Sequence, residues 1–139
     1  MNTKRFSNKV AIVTGASRGI GQGIALAFAR EGAHVVSVDI GDQAETGKQA
    51  KALGAKFHSY TEDFGKLTQK SAAELIAKIL ADTGRVDILV NNAGIIRRAP
   101  IVDHSEADWN AVLRINLSAP FFLTQAVAKW WVTGGREKS

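Results

Sequence analysis

Two kinds of apolar segment alternate along the chain. Residues 9–14 (KVAIVT) form a short, nearly continuous apolar run rich in β-branched side chains; residues 34–39 (HVVSVD), 56–61 (KFHSYT) and 86–90 (VDILV) repeat it, the third of the four more weakly. Runs of that length and composition predict strands. Between them, residues 19–31, 43–53 and 68–83 predict helices. In the last, Leu75, Ile76, Ile79 and Leu80 place one apolar face on a 3.6-residue period. Gly32, Gly54 and Gly84 follow these helices directly, as left-handed caps do. A longer helix is expected over residues 105–131. Pro120 lies inside it, four residues after Asn116, and offers no N–H to the Asn116 carbonyl, which predicts a kink.

Strand and helix therefore alternate as β-α-β-α-β-α-β before the long helix. Continuously apolar strands spaced by helices require a parallel sheet covered on both faces. With right-handed crossovers the result is an α/β fold, a Rossmann-type doubly wound parallel sheet of strand order 3-2-1-4, stopping before a fifth strand. No repeat, linker or low-complexity tract interrupts it, so residues 1–139 read as one domain. A hydrophobic content of 45% fills one core and excludes intrinsic disorder. The absence of cysteine excludes a disulfide-stapled secreted fold and agrees with a reducing compartment. No apolar run approaches the roughly 20 residues of a spanning helix. Residues 1–10 are polar and basic, so a cytoplasmic protein with no membrane segment is expected.

With 18 basic and 13 acidic residues the net charge is +5. Lys4, Arg5, Lys9, Arg97, Arg98, Lys129, Arg136 and Lys138 are scattered rather than run together, which reads as a solvated basic surface and not as a nucleic-acid site. An anionic ligand would still feel this field. His34, His58 and His104 stand isolated, without paired ligand spacing, so no metal is expected.

The segment joining the first strand to the first helix, Thr14-Gly15-Ala16-Ser17-Arg18-Gly19-Ile20-Gly21, carries the chemistry. Gly15 permits a sharp turn, Gly19 lets backbone N–H groups approach a diphosphate without an intervening Cβ, and Gly21 lets the helix pack closely on the sheet. The helix N-terminus adds unpaired N–H groups and partial positive charge. A purely structural glycine turn would look similar, but a strand before and a helix after are the context a dinucleotide site needs. Asp39 ends the second strand, 18 residues past Gly21. A carboxylate there accepts hydrogen bonds from an adenosine ribose and repels a 2′-phosphate; a loop-starting or helix-capping aspartate is the alternative. Asp39 favours NAD over NADP, while Arg18, able to pair a phosphate, pulls the other way.

These residues, with Asn91-Asn92-Ala93-Gly94 after the fourth strand and Asn116 beyond, resemble the short-chain dehydrogenase/reductase family over residues 9–131. The resemblance implies an NAD-dependent oxidoreductase acting on a small-molecule substrate as a homodimer or homotetramer. It implies that Gly15, Ser17, Arg18, Ile20 and Gly21 surround the diphosphate and that Asp39 takes the ribose. Asp63 and Phe64 would form the adenine pocket, with Asp63 on the ring's amino group. Asn91, Ala93 and Gly94 would line the cofactor's central portion, and Asn92 would help hold the strand ends together; these roles overlap with plain turn chemistry. Asn116 would hold a proton-relay water on its main chain, a role suited to the carbonyl freed by Pro120. The alternative is a proline that only bends a surface helix round the core. Residues 91–98 (NNAGIIRR) and 105–109 (SEADW) resemble the family's 2-deoxy-D-gluconate 3-dehydrogenases, which implies a sugar-acid substrate. Arg97 and Arg98 would then attract that acid, or they are two solvated loop arginines.

The family's chemistry uses a tyrosine as general acid/base, a lysine four residues later that lowers its pKa, and a serine. The one tyrosine here, Tyr60, is followed four residues on by Phe64 and reads as a half-buried structural residue. Ser139 is no match in context, so Asn116 alone remains of the catalytic set. An unpaired edge on the fourth strand, and Phe121, Phe122, Val127, Trp130 and Trp131 on the long helix, point to a missing half or a neighbouring subunit. The expectation is the cofactor half of a longer dehydrogenase, inactive alone. The alternative is a non-catalytic dinucleotide-binding module or subunit.

Overall fold

The computed structural model describes residues 3–134; the remaining positions, including Arg136, Lys138 and Ser139, lie outside the described residues. Strands β1 (Val10–Thr14), β2 (His34–Asp39), β3 (Phe57–Thr61) and β4 (Ile88–Val90) form one parallel sheet in the order β3-β2-β1-β4. This is the order expected of a doubly wound sheet. Central β1 pairs with β2 from Val10↔His34 to Thr14↔Val38 and with β4 from Ala11↔Ile88 to Val13↔Val90. The winding reverses between β1 and β4, so a crevice opens at the carboxyl ends of these strands.

Successive residues of a strand face opposite ways, and here both faces are covered, so both are apolar. On one face Ala11, Val13 and Val35 pack with Ala25 and Ala29 of α1 (Gly19–Arg30) and Ala50 of α2 (Ala44–Ala52). On the other, Ile12, Val36 and Val38 meet Leu75, Ile76 and Ile79 of α3 (Gln69–Thr83) and Leu123 and Val127 of α5 (Ala119–Val132). Gly32, Gly54 and Gly84 close the first three helices with φ of +88°, +81° and +77°. Thr68 and Ser71 form a reciprocal capping box at the start of α3.

The long helix departs from expectation in three ways. It runs as α4 (Glu106–Leu113), a π-helical turn (Arg114–Ser118) and α5, and the turn takes up the disturbance caused by Pro120. The N–H of Ala119 reaches back five residues to the Arg114 carbonyl, so one residue is absorbed just where the proline removes a donor. Taken whole, Glu106–Val132 is also long and apolar enough to cross a membrane, with a mean hydropathy of 1.2 over its best window, although the sequence showed no such run. Its Ala119, Leu123 and Val127 are instead buried against α3 and the sheet. Finally, most of its large side chains have partners within this chain. Val127 is in the core, Phe122 and Trp130 pack against it, and Trp131 donates its Nε1–H to the Val86 carbonyl at 2.7 Å. Phe121 remains exposed.

A further correction concerns the histidines. His34 and His58, apart in sequence, meet across β2 and β3 with ring nitrogens 2.7 Å apart. No group of three or more metal-ligating side chains occurs among the described residues.

Candidate functional site

The crevice at the carboxyl ends of β1 and β4 is built around Thr14. Its Oγ1 accepts the N–H groups of Asn92 and Ala93, both at 3.0 Å, and donates to the Val90 carbonyl at 3.4 Å. Asn92 returns the link, its Nδ2 donating to the carbonyls of Thr14 (3.0 Å) and Gly15 (3.3 Å). Two strand ends are thereby tied beside the turn that enters α1. Gly21 must approach this knot closely. A Cβ there would lie 2.0 Å from the Gly15 carbonyl oxygen and 2.5 Å from Asn92 Nδ2. Gly19 has φ of +59° with open space where a Cβ would stand, which leaves the backbone bare to a ligand.

Arg18, extended and exposed, precedes α1, whose first turn has neither a side-chain cap nor an acidic residue. Its N–H groups are therefore available to an anion. Across the crevice, Asp39 accepts the N–H of Ser17 on Oδ2 (2.9 Å) and that of Gly41 on Oδ1 (3.0 Å). Burial opposes ionisation of Asp39, but the Gly41 and Ser17 donors outweigh it and hold the carboxyl below its usual range. Asp63 accepts the Gly65 N–H at 2.9 Å, and buried Phe64 lies beside it. Burial, followed by repulsion from Asp63, pushes the neighbouring Glu62 carboxyl up, against a smaller opposing pull from Lys78.

The resulting cleft of about 660 Å³ is lined by Gly15, Ser17, Arg18, Gly19, Ile20 and Gly21 of the turn, by Asp39, by Asp63 and Phe64, and by Asn92, Ala93 and Gly94. That volume is ordinary for a site holding a small molecule or cofactor. A crevice at the sheet's switch point, a bare glycine backbone, an uncapped helix start and a carboxylate at the end of β2 together fit a dinucleotide. Ile40, Gly41, Asp42, Glu62, Ile95 and Ile115 also line it and carry no sequence signal beyond proximity to the residues already singled out.

Two placements qualify the sequence reading. Asn91 does not line the cleft. The chain leaves β4 with Asn91 and Asn92 on opposite sides, and Asn91 Nδ2 donates to Thr124 of α5 at 3.0 Å. Asn116 spends its side chain on Ile95, with Oδ1 accepting its N–H and Nδ2 donating to its carbonyl, both at 2.8 Å. That pairing clamps the π-helical turn to the loop after Gly94. Arg97 ion-pairs with Asp108 at 3.5 Å, whereas Arg98 is exposed. Tyr60 is absent from the cleft lining, and its hydroxyl donates to Asp82. Burial first, then Asp82, pushes that phenol up, away from service as a base.

A family model described as short chain dehydrogenase matches residues 9–138. The chain belongs to the short-chain dehydrogenase family. It is 40% identical over 135 residues to the 2-dehydro-3-deoxy-D-gluconate 5-dehydrogenase of Dickeya dadantii, covering 97% of this chain and 53% of that protein. Among solved structures, NAD+-bound xylitol dehydrogenase superposes with a TM-score of 0.86 at 31% identity, covering 94% of this chain and 50% of the other. A metagenomic short-chain oxidoreductase in complex with NADP gives 0.85 at 34% identity, covering 93% and 59%. This short-chain dehydrogenase chain thus spans about half the length of the curated relatives it matches. The family comprises oxidoreductases that bind a nicotinamide dinucleotide and act on small molecules.

Proposed function

We propose that the cleft binds NAD in preference to NADP, and that this chain supplies the dinucleotide-binding part of an oxidoreductase acting on a secondary alcohol or ketone of a sugar acid. The observation that carries the cofactor choice is Asp39. It stands at the ribose end of the cleft, kept ionised by two backbone donors, with Asp42, Glu62 and Asp63 on the same rim. A 2′-phosphate would meet this acidic rim with Arg18 as the one cation lining the cleft among the described residues. The sugar-acid assignment is supported by the name of the Dickeya relative.

When bound, the nicotinamide gives or takes the hydride. The chain's own residues bind and orient. The first turn of α1 and the backbone at Gly19 take the diphosphate, Asp39 the ribose, and Asp63 with Phe64 the adenine. Asn116 keeps its main-chain carbonyl for a relay water, because its side chain is committed to Ile95 and Pro120 supplies no N–H. We further infer a cytoplasmic enzyme working as a homodimer or homotetramer, for which exposed Trp109, Leu117 and Phe121 offer apolar surface.

Replacing Asp39 with alanine tests the cofactor assignment. Titration calorimetry should show NAD+ affinity falling about tenfold, the loss of roughly one charge-assisted hydrogen bond. NADP+ affinity should rise, since the freed Ser17 and Gly41 donors then face a phosphate. An unchanged preference between the two cofactors would overturn the role given to Asp39. A second reading, a dinucleotide-binding module without chemistry of its own, is favoured by Tyr60, whose hydroxyl is engaged by Asp82 outside the cleft. Turnover of a sugar acid by the protein isolated from its native source separates the two.

A further inference from the structure

His34 opens β2 and His58 is the second residue of β3. His58 is in register with Val36, so the two rings are diagonal neighbours on the face covered by α3 and α5. Nε2 of His34 lies 2.7 Å from Nδ1 of His58, with ring centroids 4.9 Å apart. Such a contact joins one N–H to one bare ring nitrogen, so at least one imidazole must be neutral.

The surroundings disfavour a second proton. Lys9 entering β1, Lys56 entering β3 and Arg85 after α3 line a cleft beside His34. The carboxylates at this end of the sheet already have partners. Asp87 holds Arg85 at 2.6 Å and Lys9 at 3.8 Å, Asp82 of α3 takes the Tyr60 hydroxyl, and Glu31 after α1 holds Arg5 at 3.3 Å. Lys78 of α3 acts on Glu62, toward the other end of β3. The carbonyls ending α3, which would welcome a cation, are occupied too: Ile79 accepts the Thr83 hydroxyl and Leu80 the Gly84 N–H. Burial first, then His58 and Lys56, hold the His34 imidazole below its ordinary range.

We propose that the His34–His58 contact is an acid-opened clamp, closed while one ring is neutral and forced apart when both are protonated, which loosens edge strand β3 and the Glu62–Asp63–Phe64 wall it carries. Asp39 ends β2, five residues beyond His34, and Asp63 follows β3, five residues beyond His58. The clamp is therefore some 16 Å from the cleft, at about 3.3 Å per residue. Gln43 braces the cleft end, its Nε2 donating to the carbonyls of Tyr60 (2.9 Å) and Asp39 (3.3 Å). With that end pinned, β3 pivots there and opens at the histidine end, so the effect on the cleft is severalfold rather than complete.

The strand part of the proposal stands alone; its effect on the cleft rests on the dinucleotide reading. NMR on the full chain tests both. Between about pH 8 and pH 5, amide protection of β3, and of Val35, whose N–H donates to the Lys56 carbonyl at 2.9 Å, should fall about tenfold relative to β1. In His58→Gln the fall should vanish. Protection of β3 that tracks β1 at every pH, or a fall that persists unchanged in His58→Gln, would overturn the clamp. NAD+ affinity should weaken severalfold over the same range in the parent chain and not in His58→Gln; an affinity indifferent to pH would overturn the link to the cleft. Failure of NAD+ to bind at any pH would instead sink the dinucleotide reading, while amide exchange still decides the clamp.

Discussion

Against α1 and α2 the sheet presents Ala11, Val13 and Val35, and the helices answer with Ala25, Ala29 and Ala50. Against α3 and α5 it presents Val10, Ile12, Val36 and Val38, answered by Leu75, Ile76, Ile79, Leu123 and Val127. The buried part of the first face is mostly alanine, with Leu26 its one large buried helix residue and Phe28 and Phe57 at its margin, whereas the second is built mainly from large residues. The difference shows what each face is for. The start of α1 must lie close to the strand ends, so that its free N–H groups border the crevice beside Gly15, and only small side chains permit that approach. At Gly21 and Gly47 even a methyl group does not fit; a Cβ on Gly47 would come within 2.8 Å of the Phe57 ring. The opposite face borders the cleft mainly through Phe64 and Ile115, so bulk serves it best, because buried apolar area stabilises in proportion to its size.

Gly21→Ala should break this contrast most severely. The added methyl collides with the Gly15 carbonyl and Asn92, which are backbone and a tied side chain rather than a free end. We expect loss of dinucleotide binding together with more than about 3 kcal/mol of stability, read by calorimetry and denaturant unfolding. Ile79→Ala probes the other face, where Ile79 is fully buried. Stability should fall by about 2–5 kcal/mol in denaturant melts while dinucleotide affinity in the folded fraction holds. Equal damage to binding from both substitutions would erase the functional difference between the faces.

A smaller effect is expected at the end of the sheet opposite the cleft. Asp87 accepts the Val10 N–H at 2.8 Å and the Arg85 guanidinium at 2.6 and 2.8 Å, tying the entry of β4 to β1. Burial opposes its ionisation, but Arg85, the Val10 N–H and Lys9 outweigh burial and hold it below the usual carboxylate range. A carboxylate depressed on folding contributes fully above its unfolded value and loses that contribution as pH falls through the folded one. Unfolding free energy should therefore decline below about pH 4. Asp87→Asn should lower the neutral plateau by about 1–2 kcal/mol and flatten that decline. Melts from neutral pH to pH 2 check both, and cofactor affinity at pH 7 should stay unchanged.

The order of strands, their parallel arrangement and the glycine turn were legible because they depend on local periodicity and short spacing. Residues 9–14 read as a strand, and β1 occupies nearly the same positions. Asp39 was legible for the same reason, standing at a fixed place after the turn. What could not be read depends on neighbours distant in sequence. His34 and His58 are 24 residues apart and meet only through the register of β2 and β3. Trp131 looked unpartnered until the fold placed Val86 beneath its indole N–H. Pro120 marked the right place for a break, yet the break is a π-helical turn, since an added residue before the proline keeps the helix continuous. The resemblance gave Asn91 to the cofactor and Asn92 to the strand ends; the pleat of β4 sends them to opposite sides and turns Asn91 toward Thr124 instead. Gln43, buried between β2 and β3 with its carbonyl accepting the Ser37 hydroxyl, had no signal in sequence at all.

The most direct test of the central claim is titration calorimetry of the unaltered chain with NAD+ and, separately, NADP+ at neutral pH. Saturable one-to-one binding of NAD+, at least about tenfold tighter than NADP+, is the predicted result; by free energy that ratio is about 1.4 kcal/mol. Absence of saturable binding by either cofactor, or tighter binding of NADP+ despite Asp39, would contradict it.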